Sequence, residues 1–329
     1  MLSASVADGA EFTAAAVRQA ARRIDGHINR TPVLSNATLD ELTEARVFAK
    51  AEPFQRSGSF KARGAFNRLL QLGEEERRRG IVAYSSGNHG AAVALAAAEV
   101  GIPAAIVAPH SAPEAKLEQM RARGAELVWY DPARDDRVAI AADIAAERGL
   151  TLIPPFDDLE VMAGQGTLAL ELIEDAGTLD LLVVPVGGGG LLAGVGTMAR
   201  ELCPHVRLIG VEPAAADDTA RSLRAGQRVR LEATPDTIAD GLRVPEPGEL
   251  TFAVNRRLLE RVVTVEEDEI VDAMRICFER LKVVVEPSGA VTVAALLTGR
   301  VKAPGARIGI VLSGGNVDAS RFAALLARR

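Results

Sequence analysis

Ile81-Val82-Ala83-Tyr84-Ser85-Ser86-Gly87-Asn88-His89-Gly90 sets a four-residue apolar run, then a turn of small hydrogen-bonding residues, then the start of a helical pattern that runs on through 88–100. An apolar run that short, closed by serines and glycine, reads as a buried strand feeding a helix. Outward from it the alternation continues, with apolar runs at 104–108, 127–130 and 150–153 and amphipathic segments at 113–123 and 139–148. Parallel strands cannot be joined by tight turns, so strands alternating with helices predict α/β architecture. The second half repeats the theme: runs at 181–186, 207–212 and 307–312 predict strands, and 191–202 and the charged segment 266–282 predict helices. Between them, 213–247 has four prolines and little periodicity and reads as irregular.

The bulk numbers bound the function. A chain of 329 residues is long enough for two lobes with a large core. At 48% hydrophobic and 25% charged it is an ordinary globular composition. A net charge of −6 argues against a general binder of nucleic acid or membrane surfaces, and 4% aromatic residues weakens base stacking. Cys203 and Cys277 both fall in stretches that read as helical, so a disulfide framework is not expected. Asp8 and Glu11 come early without a basic flank and apolar run, and no apolar stretch reaches the length of a membrane span. The expectation is a cytoplasmic protein with a small-molecule ligand, no nucleic acid and no membrane.

Five segments carry chemical signals. In Ser57-Gly58-Ser59-Phe60-Lys61-Ala62-Arg63-Gly64-Ala65 a lysine opens a helical pattern. The helix dipole disfavours a cation there, and a partly desolvated amine has a depressed pKa, which a Schiff-base nucleophile needs. Alone, the same residues also read as a surface lysine beside a flexible turn. Ser85 to His89 follow a strand directly, and their hydroxyls and backbone N–H groups fit a carboxylate or equally cap a helix. Gly187-Gly188-Gly189-Gly190 lies between a strand and a helix. Four glycines exceed what a tight turn needs and suit close approach of a phosphate to the helix N-terminus. On this segment alone a dinucleotide site is equally supported, since Gly188 to Ala193 also fits G-x-G-x-x-A and Glu212 ends the next strand. Ser313-Gly314-Gly315-Asn316 ends a strand, where a hydroxyl serves a ligand or caps the helix beginning near Asp318. Finally, the carboxylates of Glu212 and Asp218, with a backbone carbonyl between them, form an acidic loop suited to a hard cation.

Taken in this order, over 31–316, the segments resemble the serine racemase and threonine (serine) dehydratase group of fold-type II pyridoxal-phosphate enzymes. Pro155-Phe156-Asp157-Asp158, Ala163-Gly164-Gln165-Gly166-Thr167, Thr237-Ile238-Ala239-Asp240-Gly241 and Glu286-Pro287-Ser288-Gly289-Ala290 look like further members of that pattern. The resemblance implies two doubly wound open-sheet domains with the cofactor between them, as in the β subunit of tryptophan synthase. It divides the chain into a large cofactor domain, 1–75 with 157–329, and a small substrate domain, 76–156.

Residue by residue, the resemblance makes Lys61 the Schiff-base lysine and lays Phe60 against the cofactor ring. Asn88 would bond the ring's phenolic oxygen, Gly187, Gly188, Gly189 and Gly190 would hold the phosphate, and Ser313 would face the pyridine nitrogen. A neutral hydroxyl there does not keep the pyridine protonated, which favours prompt loss of the β-substituent. Ser85, Ser86, Gly87, Asn88 and His89, with Asp240 and Gly241, would hold the substrate. Ser86 matches the serine that returns a proton in the racemases. Phe156 looks more like the dehydratases than the animal racemases, so elimination ranks above racemisation. Glu212, the Ala216 carbonyl and Asp218 would hold Mg²⁺ or Mn²⁺ away from the bond-breaking site.

The activity so implied is dehydration and deamination of a small β-hydroxy-L-amino acid, such as L-threonine or L-serine, to a 2-oxo acid and ammonia. A 3-hydroxyaspartate ammonia-lyase and a serine racemase are alternatives, and a catalytically silent ligand-binding homologue is the reading from a different class. A second substrate carboxylate would require a cation, for which Arg243 is the candidate. The resemblance further implies a homodimer, and with about a dozen residues after Asn316, no isoleucine-sensing domain is expected.

Overall fold

The computed structural model describes residues 12–112 and 114–327. Asp8, Glu11 and the expected helix start at Pro113 lie outside the described residues. Ten strands are formed: β1 (Val33–Leu34), β2 (Arg46–Ala51), β3 (Ile81–Tyr84), β4 (Ala104–Pro109), β5 (Glu126–Tyr130), β6 (Thr151–Leu152), β7 (Leu181–Pro185), β8 (Arg207–Pro213), β9 (Arg261–Val265) and β10 (Arg307–Leu312). They make a six-stranded sheet in the order β1-β2-β10-β7-β8-β9 and a four-stranded sheet in the order β5-β4-β3-β6. All pairings are parallel except β1 with β2. The expected α/β class and its two open sheets are borne out.

Parallel strands covered by helices on both faces must be apolar on both, and β7 is buried at every residue. Its alternate residues feed two different cores: Leu181 and Val183 pack with Ile209, Ile308 and Val291, while Leu182 and Val184 pack with Leu208, Val311 and Leu192. The smaller sheet is split in the same way, Ile81 and Ala83 to one side and Val82 to the other. Because β3, β7, β8 and β10 run parallel to their neighbours, the segments after them all leave carboxyl ends of strands, where open α/β sheets bind ligands.

Three expectations change in detail. The segment 213–247 is not irregular throughout, since Asp218–Ala225 is a helix closed by Gly226 at φ 69. Its inward face carries Asp218, Thr219 and Ser222, so no apolar stripe marked it. The helix expected over 266–282 is α-helical at Glu267–Ile276 and widens to a π-helical turn at Cys277–Leu281 before Lys282 reverses to φ 61. Cys203 sits just beyond the helix Gly190–Leu202 rather than within it. An 18-residue helix, Leu159–Ala176, carries the Ala163 to Thr167 motif. There Gln165 Oε1 accepts from the Gly64 N–H at 3.1 Å, docking this helix against Lys61–Leu69. No helix among the described residues is long and apolar enough to cross a membrane.

Candidate active site

Lys61 is the first residue of the helix Lys61–Leu69. The loop before it is stitched to the exit of β10: Phe60 N donates to the Ser313 carbonyl (3.0 Å), Gly315 N to the Gly58 carbonyl (2.9 Å), and Ser59 bridges Gly314. Lys61 Nζ donates to the Pro155 carbonyl at 2.5 Å and lies 5.1 Å from the centre of the Phe60 ring. Burial lowers its pKa from 10.5 to about 8, because desolvation disfavours the ammonium. Roughly a tenth of the amine is therefore neutral at pH 7, against less than about a thousandth at the ordinary value. With its amine tied to the Pro155 carbonyl and its side chain half-buried beside Phe60, it is not the free surface lysine of the alternative reading.

Pro155 to Asp158 form a junction. Phe156 lies so close to Gly188 that a Cβ there would overlap its ring. Asp157 accepts the N–H groups of Glu249, Leu250 and Thr251 at 3.0, 2.9 and 3.1 Å, capping the helix Glu249–Leu258. Asp158 caps Leu159–Ala176 and also accepts from Arg68 Nε at 3.1 Å. One short segment thereby touches both Lys61, at Pro155, and the tetraglycine turn, at Phe156.

Gly187 to Gly190 leave β7 and enter the helix Gly190–Leu202, with Gly189 at φ 91, a conformation that admits glycine readily and other residues poorly. The helix start leaves backbone N–H groups without intrahelical partners, as any helix does. Two residues that sequence reasoning missed hold the turn from behind. Buried Thr251 donates its hydroxyl to the Gly188 carbonyl at 2.6 Å, and buried Asn255 donates its amide to the Gly189 carbonyl at 3.0 Å. Their spacing of four on one helix was the only signal.

After β3 of the four-stranded sheet, Ser85 Oγ accepts from Gly87 N at 3.2 Å, and Gly87 caps the helix Asn88–Val100. Asn88 Nδ2 donates to Glu286 Oε1 (2.6 Å), and Asn88 Oδ1 accepts from Asn316 Nδ2 (2.8 Å), which also reaches the Ser57 carbonyl (2.7 Å). Ser86, Gly87 and Asn88 line a cavity of about 150 Å³ facing Gly315 to Asp318. His89 is spent differently: its buried ring gives Nε2–H to the Ile153 carbonyl at 2.9 Å. Burial, then the Lys61 charge, lowers its pKa to about 3. At neutral pH it is a neutral imidazole, so only its backbone N–H remains for a substrate anion.

Ser313 is buried, and its Oγ lies 3.4 Å from the Ser288 carbonyl. It does not cap the last helix, Ala319–Leu326, whose cap is Asp318. Gly241 N donates to Ser288 Oγ at 2.9 Å, which places Asp240 and Gly241 beside the same strand end. Arg243 points its guanidinium at the Thr237 carbonyl (2.8 and 2.5 Å), with Asp236 3.6 Å away.

Glu212 is the penultimate residue of β8, its oxygens accepting the N–H groups of Thr219 and Ala220 at 3.0 Å each. Buried Asp218 has neither oxygen hydrogen-bonded among the described residues. Burial pushes Asp218 up to about 7, and burial plus the Asp218 charge pushes Glu212 well above the carboxylate range. Two buried carboxylates without a cationic side-chain partner in their hydrogen bonds, one of them with both oxygens unbonded among the described residues, fit a cation, and buried Ala216 lies in the turn between them. Behind Lys61, Arg63 is fully buried and bonded to Glu52 (2.8 and 2.8 Å) and Glu171 (2.6 and 2.9 Å), with Lys50 on Glu171 at 2.6 Å. Sequence reading quoted Arg63 but gave it no role.

A desolvated lysine bonded to Pro155, a glycine turn packed on the adjacent Phe156, and a buried hydroxyl at the end of β10 are parts suited to an enzyme that works through a carbonyl cofactor. The family model of pyridoxal-phosphate dependent enzymes matches residues 24–314, and the chain belongs to that family. It is 46% identical over 310 residues, 94% of this chain and 97% of the relative, to L-threo-3-hydroxyaspartate ammonia-lyase of a Pseudomonas species. It is 44% identical over 312 residues, 95% and 96% of the two chains, to serine racemase of Schizosaccharomyces pombe. The crystal structure of T.th. threonine deaminase superposes with a TM-score of 0.88 at 43% identity, covering 93% of this chain and 99% of that one. The dinucleotide alternative for Gly188 to Ala193 is thereby set aside.

Proposed function

We propose that the chain eliminates water from a small β-hydroxy-L-amino acid such as L-threonine or L-serine, releasing a 2-oxo acid and ammonia. The observation that carries this reading is Lys61, an amine with its pKa lowered to about 8, beside the Phe60 ring and bonded to Pro155, whose neighbour Phe156 packs on the tetraglycine turn. Pyridoxal 5'-phosphate, when bound, supplies the electron sink that makes a substrate's α-proton acidic.

The chain's own residues supply the rest. Lys61 holds the cofactor through its amine, and the same Nζ, once displaced by substrate, takes the α-proton as general base. Phe60 packs the ring, Asn88 donates to its phenolic oxygen, Gly187 to Gly190 hold the phosphate and Ser313 faces the pyridine nitrogen without protonating it. Ser85, Ser86, Gly87, Asn88 and the His89 N–H receive the substrate carboxylate at a helix N-terminus. Asp240 and Gly241 close the far side. Residues 1–75 and 157–329 serve as the cofactor domain and 76–156 as the substrate domain. Glu212, the Ala216 carbonyl and Asp218 hold Mg²⁺ or Mn²⁺ as a structural ion.

A second reading, 3-hydroxyaspartate as substrate with racemisation of serine as a side activity, is favoured by the identity to proteins of those names and by Ser86 at the cavity wall. We further place the protein as a homodimer in a reducing cytoplasm, which suits two buried free cysteines. The deciding experiment adds L-threonine, L-serine, D-serine and L-threo-3-hydroxyaspartate to the holoenzyme and follows oxo acid, ammonia and enantiomer. Oxo acid from L-threonine or L-serine supports the first reading; turnover of hydroxyaspartate alone replaces it with the second; cofactor binding without turnover of any of the four returns the silent homologue.

A further inference from the structure

We propose that Thr251 and Asn255 are positioning residues that preset the tetraglycine turn for a phosphate monoester. This rests on the reading of Gly187 to Gly190 as the phosphate site and says what makes that site in this chain. A trans peptide is planar, with its C=O and N–H pointing in opposite directions. Holding the Gly188 carbonyl therefore aims the Gly189 N–H, and holding the Gly189 carbonyl aims the Gly190 N–H. Thr251 Oγ1 grips the first carbonyl at 2.6 Å beside the Gly248 N–H at 3.3 Å, and Asn255 Nδ2 the second at 3.0 Å beside the Ala193 N–H at 2.9 Å, so each side chain adds a second donor from the helix Glu249–Leu258. Both N–H groups then point away from that helix, to the side on which an anion at the start of Gly190–Leu202 would sit.

Three further observations support a role beyond packing. The spacing of four puts Thr251 and Asn255 on one helix face, so the two grips act as a unit. Asn255 Oδ1 is buried without a partner among the described residues, a cost that an apolar side chain in the same place would avoid. The bond to the Gly189 carbonyl is what the amide provides in return. The supporting helix is itself fixed by Asp157, the residue after Phe156, whose ring rests against Gly188. The turn is thus held from two sides before any ligand arrives, which removes the ordering cost from binding.

The test compares pyridoxal 5'-phosphate with pyridoxal, which lacks the phosphate, as ligands of the full-length apoenzyme, reading Kd from absorbance and fluorescence titration. In Thr251→Val and Asn255→Leu the Kd for the phosphorylated ligand is expected to rise about tenfold or more, the scale of one charge-assisted hydrogen bond. The Kd for pyridoxal is expected to stay within about twofold, and Thr251→Ser, which keeps the hydroxyl, to bind like wild type. Equal weakening of both ligands, or no change in either, overturns the proposal while leaving the phosphate reading intact. A wild-type chain that does not prefer the phosphorylated ligand overturns both. Should Thr251→Val fail to fold, Asn255→Leu carries the same comparison, and the melting temperature of each apo variant shows which case applies.

Discussion

Lys61 Nζ donates to the Pro155 carbonyl at 2.5 Å, so the amine proposed to bind the cofactor is held by the same short segment that packs against the tetraglycine turn. No carboxylate is among the causes of the shift in its pKa; burial alone takes it from 10.5 to about 8.

That fixes a pH dependence. The nucleophile is the neutral amine, so the rate of covalent cofactor attachment to apoenzyme is expected to rise through pH 8 and level off above it, rather than near 10.5. Between these values the unfolded chain binds the proton and the folded chain does not, so apoenzyme stability should climb with pH over the same window. Lys61→Met should remove both effects, and Lys61→Ala should cost about a thousandfold or more in kcat. Stopped-flow absorbance, borohydride reduction with peptide mass mapping, and thermal melts at pH 7 and 10 read these outcomes. An attachment rate flat from pH 7 to 9 would contradict the desolvated-amine account.

Gly188 has no room for a side chain, because an added Cβ would run into the Phe156 ring. Gly188→Ala is expected to displace that ring or the turn and to weaken cofactor retention by about tenfold, on the scale of one or two misplaced hydrogen bonds. Adding Phe156→Ala relieves the overlap, so the double variant should hold the cofactor better than Gly188→Ala alone. Dialysis against phosphate with absorbance readout measures the retention. Additive losses in the double variant would show that the contact does not set the turn.

What the sequence disclosed, and what it withheld, follows from the range of the forces involved. Strand runs such as 181–186 and the glycine and serine turns after them are local signals, and β7 and the turn at Gly187 to Gly190 stand where expected. Lys61, Ser313 and Asn88 are far apart in sequence, and only the resemblance joined them; the hydrogen bonds of Phe60 to Ser313 and Asn88 to Asn316 now link their segments. Buried polar side chains on helices were invisible. Thr251, Asn255 and Arg63 each spend their hydrogen bonds on a partner at least 11 residues distant, and a pattern scan reads such residues as solvent-facing. His89 was singled out by its motif, but burial leaves its ring neutral and tied to Ile153.

Arg63 heads a closed set of two cations and two anions with Glu52, Glu171 and Lys50. Arg63→Met leaves two buried carboxylates facing one ammonium, and breaking a buried pair on one side costs about 3–5 kcal/mol. Chemical denaturation should report a loss of that size, with the helix that starts at Lys61 loosened and cofactor binding weakened alongside. Pairing the change with Glu52→Gln removes one of the stranded charges and should recover part of the loss. A double variant that is less stable than the sum of the two singles would mean the guanidinium acts through packing and not through charge.

The acidic loop gives the clearest sign test. Asp218, buried and with both oxygens unbonded among the described residues, has its pKa pushed from 3.8 up to about 7. In the absence of a cation the folded state therefore holds a proton that the unfolded state releases, and stability falls as pH rises from about 4 to 7. Above that window both carboxylates must ionise side by side or unfold. A divalent cation held by the ionised pair, as proposed, would stabilise the folded state by mass action. Mg²⁺ or Mn²⁺ is accordingly expected to raise the melting temperature more at pH 8 than at pH 5. Asp218→Asn should abolish the cation response and, in chelator at pH 8, melt higher than wild type, because it removes a buried charge and keeps the shape. Thermal melts with chelator and with each metal at the two pH values decide the matter: an equal metal response at both would detach the effect from Glu212 and Asp218. A wild-type chain indifferent to metal at pH 8 would mean that the buried carboxylates are neutralised by protons alone.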